Sequence, residues 1–261
     1  CIKNAQRRCL MPTPLSIIIL TYNEADVLAP TMQAAALVGD EVLVVDSFSE
    51  DQTVSIAKAH GATRIEMRAF KNWADQRNWA MEQSQHPWVL FIDADEVLDE
   101  QLIKVLQQWK SETHTNKEHY WGLRRTHFFM GRAMRFSGLQ SDVVVRLFHH
   151  TRRYSDCEVH EKINVPKPHP LPGHLQHYSF KNWDQWNKKQ RAYASRSAKD
   201  HQARTGTIGL FHTAVKPAFR FFKHFVLRLG FLDGNAVFWY SISMAQGVYW
   251  RYVELKKLRH S

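Results

Sequence analysis

The stretch Trp88–Glu96 constrains the fold of this chain more than any other segment. Its apolar run at 88–92 is as short as a buried strand, and Asp93, Asp95 and Glu96 follow it directly. An apolar run that ends in Asp-x-Asp places carboxylates at the carboxyl end of a sheet strand, where open α/β sheets bind ligands. Oxygen ligands of this kind suit Mg²⁺ or Mn²⁺, and a divalent cation suits a diphosphate. Acid-rich surface turns also follow many strands, so this pattern needs support from elsewhere in the chain.

Two earlier apolar runs end in the same way. The run at 16–20 leads into Thr21-Tyr22-Asn23-Glu24, and the run at 41–45 leads into Asp46 and further hydroxyl and acidic residues. Helices are predicted over 26–37 and 52–60, the second closed by a glycine. The resulting order of strand, helix, strand and helix predicts a parallel sheet with a nucleotide-binding crevice at the strand ends.

These motifs resemble those of family 2 glycosyltransferases, inverting enzymes with the GT-A fold that use nucleotide-sugar donors. The matching pieces are Thr21-Tyr22-Asn23-Glu24, the segment 44–53, Arg77-Asn78 and Asp93-Ala94-Asp95-Glu96. Pieces resembling the branch of lipopolysaccharide core glucosyltransferases of the KdtX/WaaE type are Val159-His160-Glu161, His177-Tyr178-Ser179 and Gly230-Phe231-Leu232-Asp233-Gly234. The resemblance implies an α/β, Rossmann-like GT-A fold with a mixed, mostly parallel sheet and a C-terminal helical extension.

The resemblance also implies roles for individual residues. The expected donor-binding residues are Thr21, Asn23, Glu24, Asp46, Arg77, Asn78 and Asp93. The expected ligands of a divalent metal, Mg²⁺ or Mn²⁺, are Asp93, Asp95 and His177, with Asp95 the foremost direct ligand. Glu161 is the expected catalytic base that takes the proton from the acceptor hydroxyl, and Asp142 and Asp156 are the alternatives.

The length of the chain fits one catalytic domain with an appendage. A sequence of 261 residues is long enough for one sizeable α/β core, and two full domains are not expected. We predict an N-terminal extension over 1–14, a GT-A domain over 15–180 and a helical extension over 181–261. Within the GT-A domain, 15–100 form the nucleotide-sugar half and 101–180 the acceptor half.

The charge of the chain favours anionic partners. The formal net charge is +10 and the sequence pI is about 9.6. No helix-turn-helix, zinc-finger or ribonucleoprotein motif accompanies this charge, so nucleic acid is not an expected partner. A basic nucleotide- or RNA-binding module is the non-enzyme alternative, although clustered carboxylates repel phosphate unless a cation intervenes. Three cysteines without metal-binding spacing indicate reduced thiols in a cytoplasmic protein.

The C-terminal extension has the composition of a helix that lies in a membrane interface. Residues 211–229 mix five phenylalanines with Lys216, Arg220, Lys223 and Arg228. The segment 235–250 lacks charged residues but is too short and too polar for a transmembrane helix.

We therefore predict a peripheral enzyme on the inner face of the cytoplasmic membrane. It would move a sugar, expected to be glucose, from a UDP-linked donor to the lipid-linked inner core of lipopolysaccharide or lipooligosaccharide. Another polysaccharide, lipid or protein is the alternative acceptor.

Overall fold

The computed structural model describes most of the chain. The described residues are 12–129, 131–139, 142–155, 163, 165–166, 168, 170–180, 183–202 and 205–260. The expected base Glu161 and its alternative Asp156 lie outside these ranges, as do all three cysteines.

Four parallel strands form the first half of the sheet, in the order β3-β2-β1-β4. They are β1 (Leu15–Thr21), β2 (Glu41–Asp46), β3 (Arg64–Met67) and β4 (Trp88–Asp93). The helices that connect them are α1 (Leu28–Ala36), α2 (Thr53–Ala59) and α3 (Trp73–Gln83). Leu20 of β1 pairs with both Val45 and Asp93, so the three central strands end level at one edge of the sheet.

The central strands are apolar on both faces because each face packs against its own hydrophobic cluster. Ile17 and Ile19 belong to one cluster and Ile18 to the other, as expected when successive side chains of a strand point to opposite faces. All three side chains are fully buried. This double burial explains why these strands read as continuous apolar runs rather than as alternating patterns.

The second half of the sheet is antiparallel. Its elements are β5 (Glu96–Leu98), α4 (Glu100–Ser111), β6 (Tyr120–Phe129), β7 (Arg132–Met134), β8 (Val143–His149) and β9 (Pro170–Phe180). Strand β8 pairs antiparallel with β4, and the sheet continues in the order β8-β6-β9-β5. Asp99 caps α4, since its side chain accepts a hydrogen bond from the Leu102 amide at 2.7 Å. The predicted α/β fold class with a C-terminal helical extension is thus confirmed.

The C-terminal third is helical. It contains α5 (Trp183–His201), α6 (Lys216–Phe222) between the π-helical turns Phe211–Val215 and Lys223–Leu227, a 3₁₀ turn (Gly230–Asp233) and α7 (Asn235–His260). Within the described residues, no helix has the length and apolar character needed to cross a membrane.

The chain divides into two compact units. The first contains the described residues up to Arg125 and those of Val143–His177, and the second contains those of Thr126–Asp142 and Tyr178–Ser261. The second unit is therefore built from the C-terminal helices together with the segment 126–142, which contains the end of β6 and the short strand β7. Its core includes Phe129, Trp186 and Tyr240.

A cluster of polar contacts in the second unit, called here the polar hub, connects the segment 126–142 to the helices. Asp233 accepts hydrogen bonds from the backbone amides of Arg135 and Phe136 at 2.9 and 2.7 Å. Arg228 donates to the Ser137 carbonyl at 3.3 Å, and its guanidinium occupies the space where a Cβ on Gly138 would lie. Arg228 was grouped with the interfacial cations because of its sequence context, but its guanidinium binds this hub.

Candidate active site

The loops after β1 and β2 are joined by a buried aspartate. Asp46 is fully buried, and its Oδ2 accepts hydrogen bonds from Thr21 Oγ1 at 2.8 Å and Ser49 Oγ at 2.6 Å. Its Oδ1 accepts from the Ser49 amide at 2.7 Å. Three neutral donors therefore satisfy this carboxylate and fix the two strand ends against each other.

The next residues of the first loop extend the same network. Asn23 has a positive φ of 55°, a conformation that Asn tolerates better than most residues. The backbone amide of Asn23 donates a hydrogen bond to Ser49 Oγ at 2.8 Å. Its side-chain Oδ1 accepts a hydrogen bond from the backbone amide of Glu50 at 2.9 Å. The Glu24 amide donates to Thr53 Oγ1 at 2.8 Å. The structure thus brings together four predicted donor-binding residues in one hydrogen-bonded pair of loops. They are Thr21, Asn23, Glu24 and Asp46.

Asp93, at the end of β4, is held by two guanidinium groups. Arg146 Nη2 lies 2.5 Å from Asp93 Oδ2, and Arg77 Nη2 lies 3.2 Å from Oδ1. Burial raises the pKa of Asp93, but the charges of Arg146 and Arg77 outweigh it and hold the pKa well below its usual value. The Asp93 side chain nevertheless keeps 36% of its surface exposed at the edge of the sheet.

Arg146 also neutralises the third carboxylate of the motif. Glu96 is fully buried, and both of its carboxylate oxygens lie 3.0 Å from Arg146 Nη2. Burial lowers the pKa of Arg146, but the charges of Asp93 and Glu96 outweigh burial. The net effect raises the pKa of Arg146 and keeps the guanidinium charged. Neither Arg146 nor Glu96 is among the site residues predicted from the sequence. The signal that marks Arg146 is a cation inside the apolar run of β8, Val143–His149.

Arg77 and Asn78 have different partners despite their adjacency. The Arg77 guanidinium lies 5.2 Å from the ring centre of Tyr154, in addition to its contact with Asp93. Asn78 makes two hydrogen bonds to the backbone of Tyr154, donating to its carbonyl at 3.0 Å and accepting from its amide at 2.9 Å. Asn78 therefore anchors the chain at Tyr154, and Arg77 holds Asp93.

Tyr154 and Ile163 flank the segment that contains Glu161. Both are buried in the apolar cluster that also contains Phe91 of β4, two residues before Asp93. The described residues on either side of the expected base are thus anchored beneath the same strand that carries the acidic motif.

Asp142, the alternative base within the described residues, lies in the second unit. Its Oδ2 is 2.7 Å from His127 Nε2.

Asp95, the second aspartate of the motif, pairs with His177. His177 Nε2 lies 3.4 Å from Asp95 Oδ2, and both side chains are largely buried. Burial lowers the pKa of His177, but the hydrogen bond and charge of Asp95 outweigh it and raise the pKa. The pairing of β5 with β9, which places Glu96 opposite His177, brings the histidine to the acidic motif.

The chemistry of these residues fits a divalent cation shared with a substrate. Within the described ranges, no group of three or more His, Cys, Asp or Glu side chains is arranged to hold a metal. The predicted ligands are divided, because Asp93 is occupied by arginines whereas Asp95 and His177 lie together. Mg²⁺ is commonly held by one or two carboxylates together with substrate phosphates and water. A carboxylate and an imidazole suit Mg²⁺ or Mn²⁺ under those conditions.

Comparisons with known proteins show which proteins this chain is similar to. The sequence profile of the group described as glycosyl transferase family 2 matches residues 16–154. An uncharacterised glycosyltransferase of Rickettsia typhi is 28% identical, covering 94% of this chain and 86% of its own length. The lipopolysaccharide core biosynthesis glycosyltransferase LpsC of Rhizobium meliloti is 26% identical, covering 77% and 76%. The crystal structure of TarS from S. aureus aligns with a TM-score of 0.46 at 14% identity, covering 84% of this chain and 45% of that one.

Proposed function

Because the chain belongs to glycosyl transferase family 2, we propose that it moves glucose from a UDP-linked donor to the inner core of lipopolysaccharide or lipooligosaccharide. Its membership confirms the predicted enzyme class, a glycosyltransferase. The observation that carries the proposal is the paired arrangement at the end of β4, where Asp95 meets His177 and Asp93 meets two arginines. Similarity to LpsC, named for lipopolysaccharide core biosynthesis, supports the choice of acceptor.

The donor would lie along the level strand ends of β2, β1 and β4. The loop pair fixed by Asp46 would form the nucleotide pocket, with Thr21, Asn23 and Glu24 at its wall. The partly exposed carboxylate of Asp93 would accept a hydrogen bond from a donor hydroxyl, and its ionised state suits that role. Arg77 and Arg146 act through Asp93, since they fix its orientation and its charge.

Asp95 and His177 would hold a divalent cation, Mg²⁺ or Mn²⁺. When bound, such an ion neutralises the charge that develops on the departing diphosphate. The chain then supplies the remaining requirements, which are rigid placement of the donor and a base for the acceptor hydroxyl.

Glu161 is proposed as that base. The support is the anchoring of Tyr154 and Ile163 in the cluster beneath β4, because these residues border the segment that contains Glu161. Tyr154 is held further by Asn78 on α3. The strand that carries Asp93 and the residues that border the segment of Glu161 therefore pack in the same apolar cluster.

The acceptor is proposed to be lipid-linked, and the enzyme to lie on the inner face of the cytoplasmic membrane. Large apolar side chains are exposed in α6 and in the segments just before and after it. They include Leu210 at 80%, Leu227 at 58% and Phe219 at 57% exposure. Exposed apolar surface of this extent marks an interaction site, and basic residues nearby favour an anionic membrane.

The test of this function is a transfer assay with a panel of UDP-sugars and core-truncated lipopolysaccharide. We expect metal-dependent transfer from UDP-glucose by the parent chain, and loss of transfer in Asp95→Ala, since removal of a ligand costs several kcal/mol of transition-state stabilisation. Glu100→Gln, which removes an exposed carboxylate in the first turn of α4, is the matched control and should retain activity. Undiminished transfer by Asp95→Ala in the presence of a chelator would refute the metal site.

A second assay separates the two possible bases. Glu161→Gln preserves side-chain shape but removes proton affinity, so donor binding should persist while turnover falls by about a hundredfold or more. Asp142→Asn should retain most activity. If the effects of the two variants are reversed, Asp142 paired with His127 is the base.

A further inference from the structure

A groove in the second unit runs between α7 and the helical turns that contain α6. Its volume is about 430 Å³, within the range of pockets that hold small molecules. Four of its lining residues are cations, namely Lys216, Arg220, Lys223 and Arg251. No Asp or Glu is present among its described lining residues. An anion is therefore the kind of ligand that this groove favours.

The cations are arranged to leave donors available. Arg220 and Lys223 have no acidic side chain within 4.0 Å among the described residues. The Nε of Arg251 is buried, and no described group accepts a hydrogen bond from it. Lys216 donates to the Tyr252 hydroxyl at 2.9 Å. Burial raises the pKa of Tyr252, but Lys216 and Arg251 outweigh it and lower the pKa, as expected near concentrated positive charge.

Apolar side chains line the same groove. Phe211, Val215 and Phe219 recur every four residues and form one row along the helical turns, and Val248 of α7 lies across from them. All three residues of this row are exposed. The row is continuous in sequence with further exposed apolar residues, from Phe222 to Leu232. The groove thus combines four cations with an exposed row of apolar side chains.

We propose that this groove binds one anionic phospholipid, with its phosphate at Arg220, Lys223 and Arg251 and an acyl chain along Phe219 and Val248. A soluble phosphate would make no contact with the apolar side chains that line the groove. A second copy of this chain would bring another surface of net charge +10 against four cations, which disfavours self-association. A lipid site in this groove would make the proposed membrane association specific, in contrast to general adsorption. The choice of a lipid as the ligand rests on the membrane location proposed above.

The site differs from the one that composition alone suggests. Arg251 on α7 joins Lys216, Arg220 and Lys223, whereas Arg228 is excluded because its guanidinium binds the Ser137 carbonyl. A lipid phosphate would therefore bridge α7 and the α6 turns, which a cationic surface strip along 211–229 would not require.

The test measures binding of the full chain to phosphatidylcholine vesicles with and without one-fifth phosphatidylglycerol. Arg220→Gln/Lys223→Gln removes two groove cations, and Lys256→Gln/Lys257→Gln removes two exposed cations from the end of the same α7. We expect the groove pair to weaken binding to anionic vesicles by about tenfold or more and the control pair by less than about threefold. Equal loss in the two pairs would overturn the groove in favour of general surface attraction.

Two further measurements identify the ligand. Monomeric dihexanoyl phosphatidylglycerol should bind the parent chain and not Phe219→Ser, and glycerol phosphate should bind neither. Equal affinity for glycerol phosphate would overturn the lipid assignment, and dimerisation that Phe219→Ser abolishes would show an interface between copies.

Hydrolysis of UDP-sugar without vesicles and thermal unfolding should be unchanged in every variant. Should the double variant fail to fold, Arg251→Gln alone serves as the groove variant. Loss of hydrolysis in the parent chain would instead count against the proposed function and leave the lipid result intact.

Discussion

Two aspartates stand at the same edge of the sheet, and the structure treats them differently. Asp46, at the end of β2, is fully buried and accepts hydrogen bonds from two hydroxyls and a backbone amide. Asp93, at the end of β4, keeps 36% of its side chain exposed and is held by Arg77 and Arg146. Each follows an apolar strand, so the two positions look alike in sequence.

The partners decide what each carboxylate can do. Neutral donors bind both oxygens of Asp46 and join two loops, so the residue organises the loop pair that is proposed to form the nucleotide pocket. Guanidinium groups compensate the charge of Asp93 and leave surface accessible for a ligand. We therefore expect changes at the Asp93 site to act through charge, and changes at Asp46 to act through hydrogen bonds.

Removal of the shared arginine should have the largest effect. Arg146→Met leaves Glu96 buried and Asp93 without its closest cation, and loss of one partner of a buried ion pair costs about 3–5 kcal/mol. Arg153→Met, which removes a half-exposed arginine paired with Glu82, should cost about 0–1 kcal/mol. Urea denaturation measures both free energies of unfolding. A loss below about 1 kcal/mol in Arg146→Met would refute the role of charge at this strand end.

Asp46→Asn should have an intermediate effect. The amide keeps the shape of the side chain but places a donor against Thr21 or Ser49, so we expect a loss of about 1–3 kcal/mol in unfolding free energy. Thr21→Val removes one of the donors and should cost about 1 kcal/mol. UDP affinity, measured by calorimetry on the same variants, sharpens the comparison. Unchanged stability with lost UDP affinity would show that Asp46 acts as a ligand residue instead.

The smallest expected effect is a change in acid stability. The folded pKa of Asp93 lies below its unfolded value of about 3.9, so its ion pairs stabilise the fold above that pH. This contribution is lost as the pH falls through the folded pKa. Asp93→Asn should therefore be less stable than the parent chain at pH 7, and the gap should narrow below about pH 4. A gap that stays constant from pH 7 to pH 2.5 would contradict the pairing.

Local patterns predicted the first half of the fold well. The helix predicted over 26–37 is α1, Leu28–Ala36, and the helix predicted over 52–60 is α2, Thr53–Ala59. These elements follow from apolar periodicity and capping within a few residues. Thr21, Asn23, Glu24 and Asp46 lie in one loop network, because adjacent parallel strands place their ends together, and their role in donor binding stays a prediction.

Partners distant in sequence were harder to predict. Arg146 was missed because a lone arginine in an apolar run can face solvent as readily as the interior, and only the pairing of β8 with β4 decides between them. The sequence also did not predict that Asp93 and Asp95 have different partners. The reason is the same, since Asp93 pairs with Arg146, which is 53 positions away. Arg228 was placed on a membrane face because sequence composition does not show which cation turns inward.

The hub around Asp233 also has a consequence for the order of events during synthesis. Asp233 binds the amides of Arg135 and Phe136, which precede it by 98 and 97 positions. At a ribosomal rate of about 5–20 residues per second, these amides wait roughly 5–20 seconds for their partner. By then the strands β1 to β4 are already available to pair. The first unit can thus begin to assemble on the ribosome, whereas the second is completed only after Asp233 emerges.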